Sequence, residues 1–138
     1  MADFDKRNEG PQCSIARYES GTLTFPPTVA TAQTVTKHNI TGTIKAIEII
    51  TTDTQDGITY TVAITNARST SLFSEASLAD NSKHWRDAIS NKATQDADFN
   101  PIPCAHSDLT LTITPSAKPD AGNVGEKTAQ VSVYLYVE

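Results

Sequence analysis

The sequence predicts an all-β fold: an antiparallel β-sandwich of about six or seven strands, with one short helical insertion and an extended N-terminal arm. Three observations lead there. Threonine, valine and isoleucine, whose branched side chains suit a pleated surface, are conspicuous throughout. Short runs alternate apolar and polar residues with a period of two, the signature of half-buried strands. Between those runs stand Pro26-Pro27, Asp56-Gly57 and "PSAKPDAGN", the punctuation of turns.

The elements follow in order. Residues 1–19, "MADFDKRNEGPQCSIARYE", carry no period of either kind. They read either as a frayed terminus or as an arm that orders against a neighbouring subunit, with Phe4, Ile15 and Tyr18 as anchors. Residues 20–138 form the β-sandwich domain. "SGTLTF" is a first short strand, stopped by two prolines that cannot donate to a ladder. "TVATAQTVTKHNI" is an edge strand or an extended connection. "TGTIKAIEIITTD" is a strand whose apolar phase changes between Ile44 and Ile47, which calls for a bulge or burial on both faces. Asp56-Gly57 is a hairpin signal leading into "ITYTVAITN", with Ile58, Tyr60, Val62 and Ile64 on one face.

From about residue 74 to 100 the period changes. Ser82 can cap a short helix through "KHWRDAIS", which sets Trp85 and Ile89 on one helical face. "DLTLTIT" resumes the strand pattern with Leu109, Leu111 and Ile113 inward, and a Gly/Pro-rich loop over 115–127 follows. The closing "TAQVSVYLYVE" alternates strictly. Ala129, Val131, Val133, Leu135 and Val137 take one side, and Tyr134 and Tyr136 take the other. Two tyrosines at i, i+2 are more apolar than a water-facing strand needs. Either a loop or helix of the same chain covers them, or another subunit does.

Composition narrows the function. At 138 residues the chain fits one ordinary domain that folds without disulfide or metal. The net charge of −5 and absence of a basic cluster remove the electrostatic term on which nucleic-acid affinity rests. No apolar run approaches a membrane span, and the first residues lack the apolar core of a signal peptide, so synthesis and folding in a cytoplasm are expected. Cys13 and Cys104 are then expected as thiols. Cys104-x-His106 offers too few ligands for zinc, and the acidic pairs Asp53/Asp56 and Asp96/Asp98 lack the spacing of a calcium loop. No nucleotide, nucleophile-elbow or zincin motif occurs. The expectation is a non-enzyme with no cofactor, no metal and no catalytic residue.

The arrangement "GTIKAIEIITTD … ITYTVAITN … SLF", then "NPIPCAHSDLTLTIT" and the closing "AQVSVYLYVE", spans roughly residues 41–138. In texture and layout it resembles the small structural proteins of tailed-bacteriophage virions, most of all capsid decoration (cement) proteins. That resemblance implies a seat on the outside of a head shell, the major capsid protein or other virion proteins as partners, and a homo-oligomer, a trimer by preference. It carries over no catalytic or ligand residue. The interface candidates are Phe4, Ile15, Tyr18, Trp85, Tyr134 and Tyr136. A tail, neck or fibre component is the alternative within the virion. A carbohydrate- or receptor-binding sandwich that uses Trp85, Tyr134 and Tyr136 as a platform is the alternative outside it.

Overall fold

The computed structural model of the chain describes residues 15–88, 99–122 and 128–138. Within them lie seven strands: β1 (Ala16–Phe25), β2 (Gln33–Thr51), β3 (Thr59–Thr65), β4 (Ser71–Ala79), β5 (Ser82–Asp87), β6 (Ile102–Pro115) and β7 (Ala129–Val137). Every pairing between them is antiparallel. The hydrogen-bonded order is β1-β7-β2-β6-β3-β4, with β5 also on β2.

The 19-residue strand β2 organises this order. Its first part, Gln33–Ile44, pairs with β6. Its second part pairs with β7 from Ile44 onward and with β5 from Ala46 onward, one on each edge. The sheet therefore has two halves that share β2. One is β1-β7-β2-β5 and the other is β2-β6-β3-β4. The ladder shifts register between Lys37 and Ile40, between Ile40 and Gly42, and between Ile44 and Ala46. Extra residues of this kind bend and twist a strand, which is how one strand serves both halves. The phase change seen in the sequence at Ile44 to Ile47 is the last of these irregularities.

Gly42 sits where β2 changes partners. Its φ is +123°, and a Cβ there would stand 2.7 Å from Val137 Cγ1 and 2.9 Å from the Glu138 carbonyl oxygen. The close approach lets Thr43 and Glu138 exchange two backbone hydrogen bonds, each 2.9 Å. Only a residue without a side chain fits this crossing.

The two halves fold over each other. Along the hydrogen-bonded path β1 and β3 are four steps apart, about 19 Å in a flat sheet. Yet the rings of Phe25 on β1 and Tyr60 on β3 have centroids 5.8 Å apart. Likewise β4 and β5 are four steps apart, but Arg86 clasps Glu75 through Nε–Oε1 at 2.8 Å and Nη2–Oε2 at 2.7 Å. The result is a sandwich-like arrangement. Its core takes Ile47, Ile49, Val131, Val133 and Leu135 from one half and Val62, Ile64, Leu109, Leu111 and Ile113 from the other. Those from β3, β6 and β7 are the inward sets that the alternation assigns; Ile47 and Ile49 come from β2. Each full burial contributes about 1.5–3 kcal/mol.

Two sequence expectations are corrected. The helical insertion around residues 74–100 is replaced, as far as residue 88, by strands β4 and β5. Trp85 is a strand residue opposite Glu48, and Ile89, its proposed helical neighbour, lies outside the described residues. The reason is the edge of β2: from Ala46 to Thr51 its backbone groups need partners, and β5 supplies them. Ser82 works in a turn instead of a cap, its N–H donating to Thr51 Oγ1 at 3.1 Å. A two-turn helix would have little stability of its own.

The second correction concerns Asp56-Gly57. A turn is present, with Gly57 at φ +60° and Asp56 Oδ2 accepting from the Ala121 N–H at 2.7 Å. The strands it joins, β2 and β3, do not pair. Both edges of the end of β2 are already taken by β5 and β7, so β3 joins β6 and β4 in the other half. The ladder of β1 also starts earlier than "SGTLTF", at Ala16 opposite Val137.

Candidate binding face

Alternation in β7 turns Tyr134 and Tyr136 away from the core, and register places their neighbours. Across the outer side of β1-β7-β2-β5, one row reads Glu19, Tyr134, Glu48, Trp85. The next reads Arg17, Tyr136, Ala46, Asp87, and a third reads Thr22, Ser132, Ile50, Lys83. Trp85, Tyr134 and Tyr136, which the sequence reading grouped only as a possible platform, thus share one face.

The small side chain of Ala46 lets two large ones meet above it. Tyr136 on β7 and Trp85 on β5 flank β2, and their rings touch over it at 5.2 Å, tilted by 49°. Ala46 is buried beneath them. Tyr136 donates its hydroxyl to Glu48 Oε1 at 3.1 Å, and Trp85 donates Nε1–H to Asp87 Oδ1 at 2.7 Å. Arg17 lies over the Tyr134 ring, 5.0 Å from its centroid, and pairs with Glu19 at 3.2 Å. Its hydrogen bond to Tyr136 and the charge of Glu19 raise the guanidinium pKa further, so the cation is permanent. These contacts fix the rotamers of the aromatic residues before anything binds, which lowers the entropic cost of docking. Trp85 nevertheless remains 48% exposed. A large aromatic side chain half in water is the kind of anchor that protein and ligand interfaces use.

The other predicted interface residues fall elsewhere. Tyr18 lies opposite Leu135 on the inner side of β1 and packs against the core. Ile15 is exposed just before β1. Phe4 lies outside the described residues. Arg17, Ala46, Glu48 and Asp87 were missed by sequence reasoning, because only cross-strand register assigns them to the aromatic face.

Among the described residues no three His, Cys, Asp or Glu side chains are placed to hold a metal ion. Cys104 is a buried thiol, its pKa raised by desolvation. His106 is exposed within β6, at φ 51°.

No protein-family model matches this chain. No curated protein matches it either. Among solved structures it is similar to a chain of infectious bursal disease virus, Gx strain, with a TM-score of 0.46 and 12% identity over 90% of this chain and 33% of that one. The Gt strain gives 0.43 and 13% over 93% and 34%. A mutant VP2 protein of the same virus, from derived T=1 particles, gives 0.39 and 13% over 94% and 35%. The present chain spans about a third of the length of each.

Proposed function

We propose that this chain is a non-enzymatic structural protein of a tailed-bacteriophage virion, a decoration protein that seats on the outside of an assembled head shell and stabilises it. The observation that carries the reading is the outer face of β1-β7-β2-β5, where Trp85, Tyr134 and Tyr136 are pre-arranged by Ala46, Glu48, Asp87 and Arg17. The resemblance of residues 41–138 to decoration proteins is what suggests the class of partner, the major capsid protein. A protein that binds only the assembled shell stabilises it by RT ln(1 + [L]/Kd) per site. Many symmetric copies, each bridging neighbouring capsid subunits, multiply that effect. Of the arm expected over residues 1–19, residues 16–19 belong to β1; the part ahead of β1 is the element assigned to reach the adjacent copy, and the oligomer on the shell is a trimer.

The test mixes the purified chain with undecorated shells, locates it by electron microscopy, and measures the temperature of shell rupture. Decoration of the outer surface and a higher rupture temperature are expected, and Trp85→Glu should abolish both. Density confined to a tail, neck or fibre would replace this reading by the alternative within the virion. The same aromatic face favours one further reading, a glycan platform. Binding of the isolated chain to a glycan array, lost in Trp85→Glu, would select it.

A further inference from the structure

We infer that the aromatic face is also a self-association surface, on which two copies of this chain pack face to face about a two-fold axis parallel to the strands. The inference rests on the reading of this face as an interface and names one occupant for it. The argument is the distribution of charge. In an isologous contact, a residue facing another across the axis is faced in turn by that residue from the other copy. The axis can lie in the plane of the face in two directions. If it runs along the strands, between β7 and β2, the rows are kept and the strand order is reversed. Arg17 on β1 then meets Asp87 on β5 of the second copy, and each pair occurs twice. Glu19 comes beside Trp85 and, one row on, Lys83 of the second copy, while Glu48 meets the hydroxyl-bearing Tyr134. No two like charges face each other.

The other axis, perpendicular to the strands through the central row, sets Glu19 against Glu19 and Glu48 against Glu48. Like charges so placed cost several kcal/mol and suppress that geometry. Both axes leave the strands of the two sheets aligned, as face-to-face packing prefers, so charge alone chooses between them.

The size of the face sets the strength. Four strands about 4.8 Å apart and three rows about 7 Å apart give a footprint of roughly 300–400 Å² per copy. That is under half of the roughly 800 Å² per partner found in standard interfaces. The dimer is therefore weak and concentration-dependent in solution. Because the same face seats on the shell, the dimer belongs to the free protein and has to open before docking.

Sedimentation equilibrium of the full chain over a wide concentration series is the measurement, with circular dichroism confirming the fold of each variant. The wild type should pass from monomer to dimer, and dimerisation should weaken at higher salt. Arg17→Glu and Asp87→Arg should each weaken it about tenfold or more, and the double swap should recover most of the loss. Glu19→Lys with Lys83→Glu gives a second, independent swap should the first disturb the fold. A chain that stays monomeric at millimolar concentration, or double swaps that recover nothing, would overturn the inference. Shell decoration by a strictly monomeric chain would sink the dimer and leave the proposed function standing. A dimer with rescued swaps but no affinity for shells would do the reverse.

Discussion

The two halves of the sheet have the same inside and opposite outsides. Inward, both present isoleucine, valine and leucine to a shared core. Outward, the half β2-β6-β3-β4 offers the rows Thr34, Thr112, Ala63, Ser74 and Thr36, Thr110, Thr65, Ser71. The half β1-β7-β2-β5 offers Glu19, Tyr134, Glu48, Trp85 in the equivalent place. Threonine satisfies the conformational demand of a strand and stays wet. A surface of small hydroxyls has nothing to anchor a partner, whereas an exposed tryptophan beside half-buried tyrosines, flanked by fixed charges, does. Folding explains the first surface completely, and it leaves the second unexplained. That asymmetry is the reason to place function on one side of the molecule.

The comparison depends on β2 serving both halves, so its crossing is the place to break it. Gly42→Ala puts a methyl group against Val137 and the Glu138 carbonyl at a positive φ that suits only glycine. A loss of about 3 kcal/mol or more is expected in a denaturant titration, from strain and overpacking together. An unchanged midpoint would mean the two halves are not coupled through this residue.

Next in size is the clasp between β4 and β5. Arg86 and Glu75 are both less than one-fifth exposed, and two short hydrogen bonds join them. Glu75→Ala should cost about 2 kcal/mol, because it leaves a half-desolvated guanidinium without its bidentate acceptor. A Glu75→Met/Arg86→Leu double variant should cost less than the single one, since no charge is stranded. If the single variant is silent, the clasp is a surface ion pair and does not hold the halves together.

Tyr60 sharpens the comparison from inside. Its ring meets Phe25 across the two halves, but its hydroxyl is buried with no hydrogen-bond partner among the described residues. Tyr60→Phe should therefore stabilise by about 1 kcal/mol. Burial, with the nearby charge of Asp80, pushes the phenol pKa up to about 12 from its usual 10.0. A folded-state pKa above the unfolded one contributes stability below pH 10, which is lost as the pH rises through about 12. The wild type should weaken over that alkaline range more steeply than Tyr60→Phe. Equal slopes would show that folding does not shift the phenol pKa, so that water reaches the hydroxyl.

Much of this architecture is legible in the sequence, and the illegible parts have one cause. Strands β3, β6 and β7 announce themselves by alternation, and their inward sets are buried as expected. The apolar slip near Ile44 marks a true irregularity of β2. Strand β5 is hidden because "SKHWRD" contains no β-branched residue, and it is a strand only because the open edge of β2 recruits it. The same holds for the false hairpin at Asp56-Gly57: the turn is local, but the choice of partner strand is not. On the binding face, Tyr134 and Tyr136 are readable from one strand. Their meeting with Trp85 over Ala46 needs the register of three strands, and so does the approach of Arg17. Tyr18 shows the limit from the other direction, since its phase relative to β7 turns it into the core.

The smallest effect on stability should come from the outer faces themselves, and it separates folding from function most cleanly. Replacing Tyr134 and Trp85 by threonine makes the aromatic face resemble its plain counterpart. Exposed strand positions tolerate such changes, and threonine keeps the β-propensity. The loss should stay near 1 kcal/mol, set mainly by the ring contact with Tyr136 and the cation–π contact with Arg17. Thr110→Ser and Thr36→Ser on the other half should stay within about 0.5 kcal/mol. Stability would thus barely distinguish the two faces, whereas docking to shells should vanish in the first pair of variants and persist in the second. A first pair that unfolds the domain would show the aromatic face to be structural after all, a second core laid on the outside. Folded variants that still dock would put the binding surface elsewhere, and the threonine face would then need the same scrutiny.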